Sequence, residues 1–142
     1  MPVYCGECKN VCVLTTGKEI YPHRKDLYKK KFYKCTEARC GAYIGCHPNS
    51  DKPLGFPAGY ETRKIRQRVH DVFDPIWRNK IMSRQGAYSK LAWCLGIDRD
   101  KCHVGMFDFA MCQRALTEIL NWGISPEFNI RSKKNEQSDI IY

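Results

Sequence analysis

Two cysteine pairs near the start constrain this chain more than any other feature. Cys5-Gly6-Glu7-Cys8 is a knuckle with a two-residue spacer. That spacing lets both thiolates turn toward one ion, and Gly6 relieves the tight turn. Cys35 and Cys40, followed by Gly41, form a second pair with a four-residue spacer. The chain between the pairs is long enough for a hairpin that brings them together. Four thiolates at about 2.3 Å satisfy tetrahedral zinc. The pattern therefore predicts one structural zinc held by Cys5, Cys8, Cys35 and Cys40. Cys12 falls among strand-like residues, where a buried thiol is the simplest reading. Cys46 or His47 is an alternative to Cys40, because three thiolates plus an imidazole serve zinc as well as four thiolates.

The chain has 9 cysteines in 142 residues, an odd number that excludes complete internal disulfide pairing. The first residues, Met-Pro-Val-Tyr-Cys, show neither the charged region nor the apolar run of a secretory signal. A reducing, cytoplasmic setting is expected, which favours metal ligation and buried thiols over disulfides. No apolar run approaches the roughly 18 residues of a membrane helix.

The hydrophobic pattern changes partway along the chain. Residues 1–50 carry short candidate strands at Val11–Thr15, Phe32–Lys34 and Ala42–Ile44, and read as a zinc-ribbon lobe. Residues 51–60, with Pro53, Gly55, Pro57 and Gly59, read as a linker. Residues 61–124 show helical spacing: Ile65, Val69, Val72, Phe73 and Ile76 share one face, and Pro75 is expected to break or kink that helix. Leu91 to Leu95 belong to a second helix ending at Gly96, and Phe109 to Leu120 to a third with Asp108 as its cap. Residues 125–142 form a polar tail. The expected fold is α+β: a ribbon of short antiparallel strands packed on about three helices.

Lys and Arg total 24 against 15 Asp and Glu, a formal charge of +9. Such a bias suits a polyanionic partner. It concentrates between the knuckles, where Arg24, Lys25, Lys29, Lys30 and Lys31 alternate with Tyr28 and Tyr33. Cations for phosphates beside aromatic faces for bases suggest nucleic-acid binding, DNA or RNA, without sequence preference. Arg63, Lys64, Arg66 and Arg68 fall outside the apolar stripe of the first helix and are expected to extend a basic, solvated face. Two Cys-His dipeptides, Cys46-His47 and Cys102-His103, could join His70 and Asp108 in a second polar site between the lobes.

Several strings resemble the phage and prophage zinc-finger-containing domain proteins. They are Thr16-Gly17-Lys18-Glu19-Ile20-Tyr21-Pro22-His23-Arg24, Gly41-Ala42-Tyr43-Ile44-Gly45-Cys46-His47 and Asp51-Lys52-Pro53-Leu54-Gly55. The segment bearing His70, Phe73, Asp74, Trp77 and Arg78 and the run Cys102-His103-Val104-Gly105-Met106-Phe107-Asp108 also match. The second knuckle departs from that family, whose spacer there is commonly two residues. The resemblance implies a phage-type protein of the bacterial host cytoplasm and no particular activity. The expected function is zinc-supported nucleic-acid binding. The alternatives are a module that binds or inhibits a host protein, and a metal-dependent hydrolase built on the Cys-His and Asp residues. No Gly-rich phosphate loop or HExxH accompanies them.

Overall fold

The computed structural model describes residues 2–123. The polar tail at 125–142 lies outside the described residues. An antiparallel sheet comes first: β1 (Val3–Tyr4), β2 (Val11–Thr16), β3 (Lys31–Cys35) and β4 (Tyr43–Gly45), in spatial order β1-β2-β3-β4. The short helix α1 (Gly17–Ile20) and a 3-10 turn at Lys25–Leu27 fill the β2–β3 connection. Three helices follow: α2 (Tyr60–Arg78), α3 (Arg84–Leu95) and α4 (Phe109–Leu120). The fold is α+β, a small ribbon followed by a helical lobe.

Register explains how the knuckles meet. Each hairpin carries its cysteine pair at one end. Val3 pairs with Cys12 across β1–β2, and Cys12 pairs with Cys35 across β2–β3. Both turns therefore fall at the same end of the sheet. Phe32 and Ile44 are both fully buried, on opposite faces of the sheet, since Ile44 pairs with Tyr33, the neighbour of Phe32.

The main core is helical. Val69, Phe73 and Ile76 of α2 pack with Leu91 and Leu95 of α3 and with Cys112, Ala115 and Ile119 of α4. Cys102, Val104 and Phe107 of the α3–α4 connection complete it. Local chemistry sets the helix ends. Ser83 accepts a hydrogen bond from the Gly86 N–H at 2.9 Å, and Asp108 accepts from the Met111 N–H at 2.8 Å. Gly96 closes α3 in the left-handed region at φ 71°.

Two expectations for α2 need correction. The helix runs through Pro75 to Arg78. The ring sits in the last turn, where it removes only the donor that would serve the Asp71 carbonyl. Pro75 and Ile76 are both buried, so packing outweighs that loss. Asp74, one residue before Pro75, is buried and pairs with His70 Nδ1 at 3.0 Å. Nor does Arg66 face solvent: it is 1% exposed. Its helix touches partners beyond the apolar stripe, and those partners come from distant sequence.

Residues 46–59 run as a strap between the two lobes. Tyr43 and Ala58 exchange two backbone hydrogen bonds at 3.1 Å, and Leu54 N–H donates to Gly45 O at 3.0 Å. On its other side the strap meets the α3–α4 connection, where Phe56 N–H donates to Gly105 O at 2.8 Å. The approach is close enough that a Cβ at Gly55 would sit 1.9 Å from Gly105 O. Backbone, not a flexible side chain, blocks that position. Gly55→Ala should therefore destabilise the zinc-loaded protein by about 1–3 kcal/mol, as overpacking does. Urea unfolding measures it, and an unchanged midpoint would contradict the close approach.

Candidate metal centre

The β1–β2 turn presents Cys5 and Cys8, and the β3–β4 turn presents Cys35 and Cys40. Their sulfurs all lie within 4.8 Å of one another. Cys5 Sγ stands 3.6 Å from Cys40 Sγ, and Cys8 Sγ stands 3.4 Å from Cys35 Sγ. These separations are far too long for a disulfide bond of about 2.05 Å. They approach the edge of a ZnS4 tetrahedron, about 3.8 Å for zinc–sulfur bonds near 2.3 Å. Crossed pairing, first cysteine to last and second to third, is what two facing knuckles produce.

The two turns share a backbone device. Lys9, just after Cys8, adopts φ 67°, and Gly41, just after Cys40, adopts φ 68°. A left-handed residue there bends the chain back after its second thiol. Amide protons point at the sulfurs: Glu7 N–H donates to Cys5 Sγ at 3.3 Å and Glu37 N–H to Cys35 Sγ at 3.4 Å. Such donors stabilise thiolate charge. A backbone hydrogen bond at Asn10 brings the Cys8 thiol down to about 7. Burial pushes Cys40 up to about 12. Ionising all four sulfurs this close together requires a cation among them, and an all-sulfur tetrahedral set suits zinc.

The other candidates lie elsewhere. Cys12 is a buried thiol of β2, pushed up to about 12 by burial. Cys46 and His47 follow β4; Cys46 pairs along the strap with Pro53, and His47 is exposed. Cys102 is in the helical core, His103 is exposed, His70 pairs with Asp74, and Asp108 caps α4. Among the described residues these make no metal-holding group; the four-cysteine cluster is the one such set.

The basic hairpin is divided. Arg24 pairs with Asp26 at 2.7 Å, and Lys31 pairs with Asp51 at 2.6 Å. Lys25, Lys29 and Lys30 are exposed without a carboxylate partner among the described residues. Tyr28 donates its hydroxyl to Pro22 O at 2.6 Å, and Tyr33 is half-buried on β3. Tyr21 hydrogen-bonds with Tyr43 and packs edge-on against Phe32, so those rings serve the fold.

Sequence reasoning missed Glu7, which looked like a mere spacer within the knuckle. Its Oε2 accepts from the Gly59 N–H at 3.1 Å, and Thr62 Oγ1 lies 3.4 Å away. Gly59 is the N-cap of α2 and has no side chain to cap with. The knuckle thus supplies a carboxylate to the helix N-terminus. No local signal links positions 7 and 59.

Cys5→Ser and Cys40→Ser should lose zinc by elemental analysis, while Cys46→Ser and Cys94→Ser keep it. Zinc should also be released as the pH falls into the acidic range, because protons compete for the thiolates. Retention by Cys40→Ser with loss by Cys46→Ser would refute the ligand set. Separately, Glu7→Ala should keep its zinc yet lose about 1 kcal/mol of stability, the usual cost of a missing cap. Loss of metal from that variant would place Glu7 in the site rather than at the helix.

No curated protein and no solved structure matches the chain. A family does: the match to the zinc-finger-containing domain covers residues 1–121. With its ribbon sheet, four-thiol cluster and this match across most of its length, the chain belongs to the zinc-finger-containing domain family.

Proposed function

We propose that this is a phage-type zinc-binding protein of the bacterial host cytoplasm that binds nucleic acid through phosphate contacts on its ribbon. Cys5, Cys8, Cys35 and Cys40 hold the zinc. The observation that carries the nucleic-acid reading is the set of exposed cations without a salt bridge, among the described residues, on the β2–β3 connection, Lys25, Lys29 and Lys30. Lys29, Lys30 and Lys31 also line a cleft of about 660 Å³ with His47 and Asn49. A concave basic surface attracts a phosphate backbone without reading bases. Zinc's role is to hold the strands that present this surface. Most nearby aromatic rings are taken up by the fold, so affinity comes from phosphate contacts more than from stacking.

One observation favours a second reading, a protein partner. Trp93 on α3 is 84% exposed. Exposed tryptophans are frequent anchors of protein interfaces. Salt separates the two readings.

A fluorescent single-stranded oligonucleotide should bind with an affinity that falls steeply with salt. Each phosphate contact on a single strand contributes about −0.7 to the slope of log K against log salt. Replacing Lys25, Lys29 and Lys30 by Ala should flatten the slope by roughly two units. Binding that ignores salt and survives the triple change would overturn the phosphate reading. Loss of a host-protein interaction in Trp93→Ala would then support the second.

A further inference from the structure

A cavity of about 430 Å³ opens where the first knuckle, the strap, α2 and the start of α4 meet. It is remote in character from the basic cleft. Phe56, Ile97, Met106, Phe107 and Met111 make its walls largely apolar. Arg66 lies among them, 1% exposed. Its Nε donates to Phe107 O and its Nη1 to Phe56 O, both at 2.9 Å. Both partners are neutral carbonyls. No carboxylate forms an ion pair with it among the described residues.

That arrangement is unusual for a buried charge, which ordinarily has a counter-ion. A guanidinium has five N–H donors, and two are used here. Two carboxylates share the lining and act on Arg66 through space, but neither forms a salt bridge with it and each has another task. Glu7 caps α2 and Asp108 caps α4. Lys9 and Lys101 add positive charge to the same walls. Burial brings Arg66 down to about 10, so it still carries its charge at neutral pH.

We propose that this seam cavity binds a small apolar carboxylate, with Arg66 as the group that receives the carboxylate. The volume falls within the range of small-ligand sites. A planar guanidinium fork matches a planar carboxylate in shape and charge. The apolar walls suit a hydrocarbon or aryl body and disfavour a phosphate, which needs donors on several sides. The inference does not depend on nucleic-acid binding. It does depend on a folded ribbon, since Gly6, Glu7 and Lys9 of the knuckle form one wall.

The test is a titration of the zinc-loaded full chain, followed by amide proton–nitrogen spectra. The probes are phenylacetate, 3-phenylpropionate and hexanoate, each against its neutral amide. At least one acid should give saturable shifts at Phe56, Phe107 and Met111, with Kd on the order of 1 mM, as expected for fragments of this size. Its amide should bind about tenfold more weakly or worse, because the charged hydrogen bond is lost. Arg66→Gln should abolish the preference for acid over amide. Should that variant fail to fold, Met111→Trp fills the cavity and leaves Arg66 in place, and it should abolish the shifts. No saturable shift from any acid, equal binding of acid and amide, or shifts that persist in Met111→Trp would each overturn the proposal.

Discussion

At its knuckle end the ribbon has little hydrophobic core, and four sulfurs stand where one would be needed. Its buried cluster at the knuckle end is Cys5, Cys12, Cys35 and Ala42, with Val3, Tyr33 and Cys40 at the edges. Small thiols bury too little apolar surface to offset the entropy of ordering this much chain. A zinc–thiolate centre supplies folding free energy directly, because the site does not exist in the unfolded chain. The strands can then stay short. β1 has two residues and β4 three, lengths that would not hold a free-standing sheet.

The metal's influence extends to the helices through the residues between its ligands. Glu7 is held between Cys5 and Cys8 and reaches the N-terminus of α2. Gly6 N–H donates to Pro57 O at 2.9 Å, tying the same turn to the strap. Arg66 joins the strap at Phe56 to the α3–α4 connection at Phe107. Phe56 and Gly105 close the same junction through backbone. The helical lobe has an ample core, so it does not need zinc to be compact. What zinc controls is the docking of ribbon on helices, and with it the shape of the seam.

Legibility in the sequence followed the range of the interaction. The meeting of two cysteine pairs was readable because each pair is local and a hairpin is a short route between them. The caps Ser83 and Asp108 act within three residues, and Asp108 was visible for that reason. Pro75 misled because propensity ranks the ring as a breaker wherever it falls, while its burial in the final turn is tertiary. Arg66 misled because an arginine off the apolar stripe ordinarily meets water. Its acceptors, Phe56 and Phe107, lie 10 and 41 residues away. The Cys-His dipeptides carried no spatial information at all. Cys102 went to the helical core and Cys46 to the strap, while both neighbouring histidines face out.

Charge shows the same division between composition and position. A formal excess of nine positive charges invites a polyanion, yet much of it is spoken for. Arg63 stacks 3.8 Å from the Tyr43 ring centroid and donates to Ala58 O at 2.7 Å. Arg84 and Arg99 both lie over the Tyr88 ring, at 4.8 and 4.7 Å. These guanidiniums act as flat packing groups as much as charges. The pairs Lys31–Asp51 and Lys34–Glu19 are exposed, so they contribute little stability and mainly cancel field locally. The remaining unpaired lysines of the β2–β3 connection are therefore a better guide to a partner than the net charge. Their position on a segment framed by strands, rather than their number, is what makes the ribbon a directed surface.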